Sequence, residues 1–162
     1  QQYLRESTCA FGDLMMFIGG SPVGTAGGIK TVTFFAVLLN ALSYIRDRKE
    51  TVIFGRRFSE DTIRKAAAIV TVSFTVSLFM TVLLITTDGV SLTDGLFETL
   101  SATCTVGLTR GLTSTLSTGG RIVIIISMYL GRIGPISMAL FFSGRGSDKN
   151  KVSYAQGGFI VG

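Results

Sequence analysis

Five consecutive uncharged residues, Thr105, Val106, Gly107, Leu108 and Thr109, are the ones best suited to chemistry in this chain. A β-branched pair followed by a glycine free to take unusual dihedrals turns successive main-chain carbonyls toward one axis. Oxygens arranged that way replace the hydration shell of an alkali ion, so the string reads as a potassium-type filter strip that holds the metal through its backbone. Short T-x-G strings are common, and taken alone this one also fits an ordinary outside turn. A second set is the glycine-rich run Gly19, Gly20, Ser21, Pro22, Gly24, Thr25, Gly27, Gly28 and Lys30, and a third is Arg132, set in an apolar stretch. The run GTAGGIKT ends in a Lys-Thr pair, as a phosphate-binding loop does. That loop needs Gly directly before Lys, with a strand ahead and a helix behind, and Ile29 occupies the place. The chain has no His and only Cys9 and Cys104. A His-based catalytic relay is excluded, little remains for a structural zinc site, and two distant cysteines make no disulfide framework. No enzyme and no organic cofactor are expected.

The elements that must position these residues follow from hydropathy and charge. Hydrophobic residues make up 47% of the 162 and charged residues 15%, a balance that suits lipid better than water. The mean hydropathy of +0.53 points the same way. The net charge of +5 could suggest nucleic acid, but the basic residues border apolar runs. One group comprises Arg46, Arg48, Lys49, Arg56, Arg57, Arg64 and Lys65, and another Arg145, Lys149 and Lys151. This is the positive-inside pattern of cytoplasmic membrane loops, although a plain solvated loop has the same composition. No nucleic-acid partner is expected. The first residue is not Met, and the chain is expected to be a piece of something longer.

Ala66 to Thr87 carries no charge, and roughly twenty-two residues at about 1.5 Å each cross a hydrocarbon core of about 30 Å. Its hydroxyls at Thr71, Ser73, Thr75, Ser77 and Thr81 suit a helix packed in a bundle, bonding back to their own helix or across to a neighbour. Ile122 to Phe142 predicts a second span, returning to the cytoplasm. Arg132 near its middle costs about 2.5 to 3.5 kcal/mol on insertion scales unless it faces protein or water, so it marks either a functional site or a pairing with a buried carboxylate. Gly131, Gly134 and Pro135 around it permit a close helix contact or a kink. Leu14 to Tyr44 is too long for one plain span, and its central glycines and Pro22 break the helix. Within a bilayer such a break is tolerated where protein or water satisfies its amides, which points to an ion path; a flexible loop outside the membrane is the alternative. Leu92 to Cys104, roughly thirteen residues, is too short to cross and predicts an interfacial or re-entrant helix. Ser91 and Asp94 supply its start.

The segments FIGGSPVGTAGGIKT, FETLSATCTVGLTRGLT and YLGRIGP, in this order around a basic linker, resemble the C-terminal part of the membrane subunit of Trk/Ktr potassium uptake systems. The resemblance implies an all-α membrane protein: a broken transmembrane helix, then a helix, re-entrant pore loop, helix unit. Residues 1–13 would be an outside stub, 14–45 the broken second helix of a third repeat, 46–62 a cytoplasmic linker, 63–143 a fourth repeat and 144–162 a cytoplasmic tail. The fourth repeat would comprise a helix over 63–87, a pore helix over 92–104, the filter over 105–109 and a helix over 121–143. The resemblance further implies that potassium is held by Thr105 to Thr109, with Gly107 supporting selectivity. A gate would form from Gly19, Gly20, Ser21, Gly24, Thr25, Gly27, Gly28 and Lys30, with Arg132 as an electrostatic barrier beneath the filter. It also implies a multi-pass protein of the plasma (inner) membrane, embedded in the lipid bilayer, a homodimer of full-length chains, and a cytosolic ring of nucleotide-binding regulatory subunits contacting Arg46 to Lys65. A homotetrameric two-span potassium channel and a membrane-anchored nucleotide-binding protein are the alternatives.

Overall fold

The computed structural model describes residues 6–21, 27–47, 52–53, 56–57 and 59–134. They form five helices, α1 (Glu6–Phe17), α2 (Thr31–Ile45), α3 (Glu60–Asp88), α4 (Leu92–Thr103) and α5 (Thr118–Ile133). A two-stranded antiparallel hairpin, β1 (Val52–Ile53) with β2 (Arg56–Arg57), lies between α2 and α3. The fold is all-helical but for that hairpin, which stands where a plain linker is expected. The β-branched pair Val52-Ile53 favours an extended backbone there.

Helix α3 is the one helix among the described residues long and apolar enough to cross a membrane. Ser59 caps it by accepting from the Thr62 N–H at 3.3 Å, and Glu60 and Asp61 sit at the positive end of its dipole. Glu60 therefore starts the helix ahead of residue 63. Helix α4 has the capping geometry its sequence predicts: Ser91 Oγ accepts from the Asp94 N–H at 3.2 Å and donates to the Asp94 carboxylate at 2.7 Å. Its 12 residues extend roughly 18 Å, far short of a crossing. Helix α5 begins at Thr118, with Ser117 as cap, and ends at Ile133 against Gly134; Pro135 and the remainder of the expected span lie outside the described residues. The tail over 144–162 and the basic residues Arg48 and Lys49 lie outside them as well.

Helix α1 begins at Glu6 rather than at residue 14. Cys9, Asp13 and Met16, at i, i+4 and i+7, share one buried face, and the polar opening Glu6-Ser7-Thr8 conceals this helical spacing. Cys9 and Met16 pack with Phe97 and Leu100 of α4. On another side of α4, Ala102 joins Leu84 of α3, Leu116 of the loop before α5 and Ile124 of α5 in a second cluster. Helix α4 thus sits in the middle, with every residue from Phe97 to Thr103 buried.

Hydroxyl pairs link α3 to α4, as bundle packing requires. Thr81 and Thr99 bond at 2.6 Å and Ser77 and Thr103 at 3.3 Å. Thr81 and Thr75 also donate back to the carbonyls of Ser77 and Thr71. Helix α5 approaches α4 so closely that a Cβ at Gly131 would overlap the Thr103 carbonyl oxygen. Gly131→Ala is expected to destabilise the full-length protein by about 1–3 kcal/mol, the usual cost of overpacking a core. Thermal unfolding in detergent checks this, and a midpoint equal to that of the unaltered protein would contradict the packing described.

Candidate ion-coordination site

The strip Thr105 to Thr109 leaves the carboxyl end of α4 and is exposed along its whole length. Thr105 has φ 55° and Gly107 φ 79°, with Val106 between them. Left-handed backbone is unusual for a β-branched residue, and such strain, of order 1–3 kcal/mol, persists only where the surroundings impose it. At Gly107 the positive φ, and not crowding, is what calls for glycine, since a Cβ there would meet nothing within 4 Å.

Both ends of the strip are anchored. At its start, the N–H of Thr105 donates to the Ala102 carbonyl at 3.2 Å and that of Val106 to the Ser101 carbonyl at 2.9 Å. These bonds use carbonyls that would otherwise be unpaired at the end of α4, whose dipole places partial negative charge beside the strip. At its far end, Thr109 Oγ1 donates to Glu98 Oε2 at 3.0 Å, and Thr113 Oγ1 donates to Glu98 Oε1. One turn earlier on α4, Asp94 pairs with the Arg110 guanidinium at 2.7 Å. Glu98 is buried at 4% exposure, so its charge depends on these donors. Neither the Glu98 anchor nor the Asp94–Arg110 pair is evident from the amino-acid sequence. The available signal is a lone Glu at the centre of the apolar stretch Leu92 to Cys104.

The glycine-rich run interrupts the path from α1 to α2, and its described parts, 19–21 and 27–30, lie against each other. The Thr31 N–H donates to the Gly20 carbonyl at 3.2 Å, and a Cβ at Gly19 would lie 2.7 Å from the carbonyl oxygens of Gly27 and Ile29. Ile29 is fully buried. The Gly27 N–H donates to Thr105 Oγ1 at 2.7 Å, and a Cβ at Gly28 would stand 3.0 Å from Cys104 Sγ. The run therefore touches the first residue of the strip. A helix, α1, precedes it, and the strand that a phosphate-binding loop needs is not found in that place. Ser21 is exposed, Lys30 is the N-cap residue of α2, and Gly24 and Thr25 lie outside the described residues.

Two open pockets flank the strip. One is lined by Met15, Met16, Gly19, Gly20, Val106 and Leu108, among others. The other, of about 350 Å³, is lined by Ser101, Ala102, Thr105, Gly107, Met128 and Arg132. Arg132, in the last turn of α5, is thereby brought to the same pocket as two strip residues.

Residues 3–152 match the TrkH family, described as cation transport protein. The chain belongs to this family. It is 42% identical to the Ktr system potassium uptake protein B of Bacillus subtilis over 160 residues, 98% of this chain and 35% of that protein. It is 39% identical to the protein of the same name from Vibrio alginolyticus over 126 residues, 78% of this chain and 28% of the relative. It is 35% identical to the potassium/sodium uptake protein NtpJ of Enterococcus hirae over 124 residues, 74% of this chain and 28% of the relative. The TrkH-family chain thus spans about a third of the length of the curated relatives it matches.

Removing the Thr105 hydroxyl tests the contact between the glycine-rich run and the strip. In Thr105→Val, amide exchange at Gly27 is expected to speed up about fivefold, the equivalent of one hydrogen bond worth about 1 kcal/mol. Thr105→Ser should leave it close to the unaltered rate. Equal exchange in all three forms, measured by hydrogen–deuterium exchange, would contradict the contact.

Proposed function

We propose that this chain is part of the membrane subunit of a potassium uptake system and that Thr105 to Thr109 hold the permeating ion. The observation that carries the reading is the exposed strip, with positive φ at Thr105 and Gly107 and both ends anchored on α4. A strip held in that way presents its carbonyls without needing the ion to organise them, and carbonyl rings of this kind replace the hydration shell of potassium. The names of the relatives from Bacillus subtilis and Vibrio alginolyticus, potassium uptake proteins, support the choice of ion.

In this reading α4 is the pore helix of a re-entrant loop, with α3 and α5 as the flanking membrane helices of a fourth repeat. Helices α1 and α2 are the halves of a broken membrane helix from the third repeat. The subunit is a multi-pass protein of the plasma (inner) membrane, with the basic residues around Arg46 to Lys65 on the cytoplasmic side. The run from Gly19 to Lys30 acts as the gate, and its Gly27–Thr105 bond supports a position directly against the filter. Arg132 adds a positive charge below the strip, where like-charge repulsion of a cation is strong if water is scarce. A ring of cytosolic nucleotide-binding subunits regulates the gate from the Arg46 to Lys65 side, and full-length chains pair as homodimers. The relatives' Ktr system names support an assembly of several components. Transport needs no covalent step. Because the matched relatives are about three times longer, one full-length chain supplying every filter segment is favoured over four copies of a two-span channel.

Two substitutions in the full-length protein test the reading. Gly107→Ser is expected to lower potassium-over-sodium selectivity by at least about tenfold, because serine opposes the positive φ and adds a side chain beside the carbonyls. Relative uptake of the two ions in proteoliposomes is the measurement, and an unchanged ratio would contradict the filter assignment. Arg132→Ala is expected to raise potassium flux several-fold without the regulatory subunit, by removing a low-dielectric barrier. Unchanged flux would remove Arg132 from the gate.

A further inference from the structure

The segment that follows the strip is tied to α4 by more than the Thr109–Glu98 bond at the end of the strip. Thr109 Oγ1 and Thr113 Oγ1 donate to opposite oxygens of Glu98, and Thr113 Oγ1 also lies 3.1 Å from Thr109 Oγ1. The Gly111 N–H donates to Thr109 Oγ1 at 3.0 Å, so the Thr109 hydroxyl joins the carboxylate to the turn beyond it. Arg110, between the two threonines in sequence, is drawn to Asp94 on the same helix. Residues 109 to 113 therefore wrap around a buried carboxylate, and a buried carboxylate is held firmly only while its oxygens remain bonded.

We infer that Glu98 is a positioning residue for ion selectivity: through Thr109 and Thr113 it fixes the far end of the strip, and thereby the spacing of the carbonyls that the ion meets. The inference rests on the proposed filter and adds a residue that stands behind it rather than facing the ion. Where cavity size discriminates potassium from sodium, the carbonyls must resist closing around the smaller ion. A strip held at its start by the end of α4 and at its finish by Glu98 resists in that way. With only the first anchor, the carbonyls of Leu108 and Thr109 are free to move inward.

The test uses the full-length protein in proteoliposomes and compares potassium and sodium uptake for the unaltered chain, Glu98→Gln, Glu98→Ala and Thr113→Val. Thr113 lies outside the strip, so Thr113→Val removes one donor and leaves both the filter and the carboxylate in place. The potassium-over-sodium ratio should fall about tenfold in Glu98→Ala, roughly the factor that follows from one lost charge-assisted hydrogen bond, and less in Glu98→Gln and Thr113→Val. If Glu98→Ala fails to assemble, the other two variants decide. A lower total uptake with the ratio unchanged would make Glu98 a structural residue only and overturn the inference while the filter reading stands. Absence of any potassium preference in the unaltered protein would instead overturn the filter reading itself.

Discussion

The structure depends on holding five residues of irregular backbone open at the end of a short buried helix. Thr105 to Thr109 have no helix or strand to stabilise them, and Thr105 adopts a left-handed conformation that a β-branched residue resists. What holds them is α4: the carbonyls of Ser101 and Ala102 at one end and the Glu98 carboxylate at the other. The rest of the described fold encloses that helix. α1 covers it through Cys9 and Met16, α3 through paired hydroxyls, and α5 through the close approach at Gly131.

This arrangement has a mechanical consequence. A carbonyl strip that selects by cavity size depends on how closely its supports are packed, and α4 is buried from Phe97 to Thr103 between its neighbours. The glycine-rich run reaches the same point from another direction, through Gly27 and Gly28 at Thr105 and Cys104. The residue that begins the strip is therefore also the one that touches the proposed gate. Membership of a cation transport family agrees with an apolar helical chain whose most organised polar features converge on one exposed backbone segment.

Much of the fold was legible in the sequence because hydropathy and caps act locally. The charge-free run beginning at Ala66 marks α3, and Ser91 with Asp94 marks the start of α4. Glycines with Pro22 mark the interruption between α1 and α2, since helix propensity falls steeply there. The start of α1 was hidden because Glu6, Ser7 and Thr8 look like surface residues, while the burial of Cys9 and Asp13 depends on α4, far away in sequence. The strip was legible as a string of residue types. Its supports were not, because the Glu98–Thr113 and Asp94–Arg110 contacts follow from how the chain turns after Thr109, which no local pattern specifies.

The central claim is that main-chain oxygens of Thr105 to Thr109 hold a desolvated alkali ion, and the most direct measurement is where such an ion sits. Crystals of the full-length protein grown with rubidium or thallium in place of potassium would reveal it by anomalous scattering. The account predicts a peak on a shared axis, within bonding distance of the carbonyl oxygens around Gly107. A strip that faces bulk water with no ion along it, while the protein still transports potassium, would contradict the account.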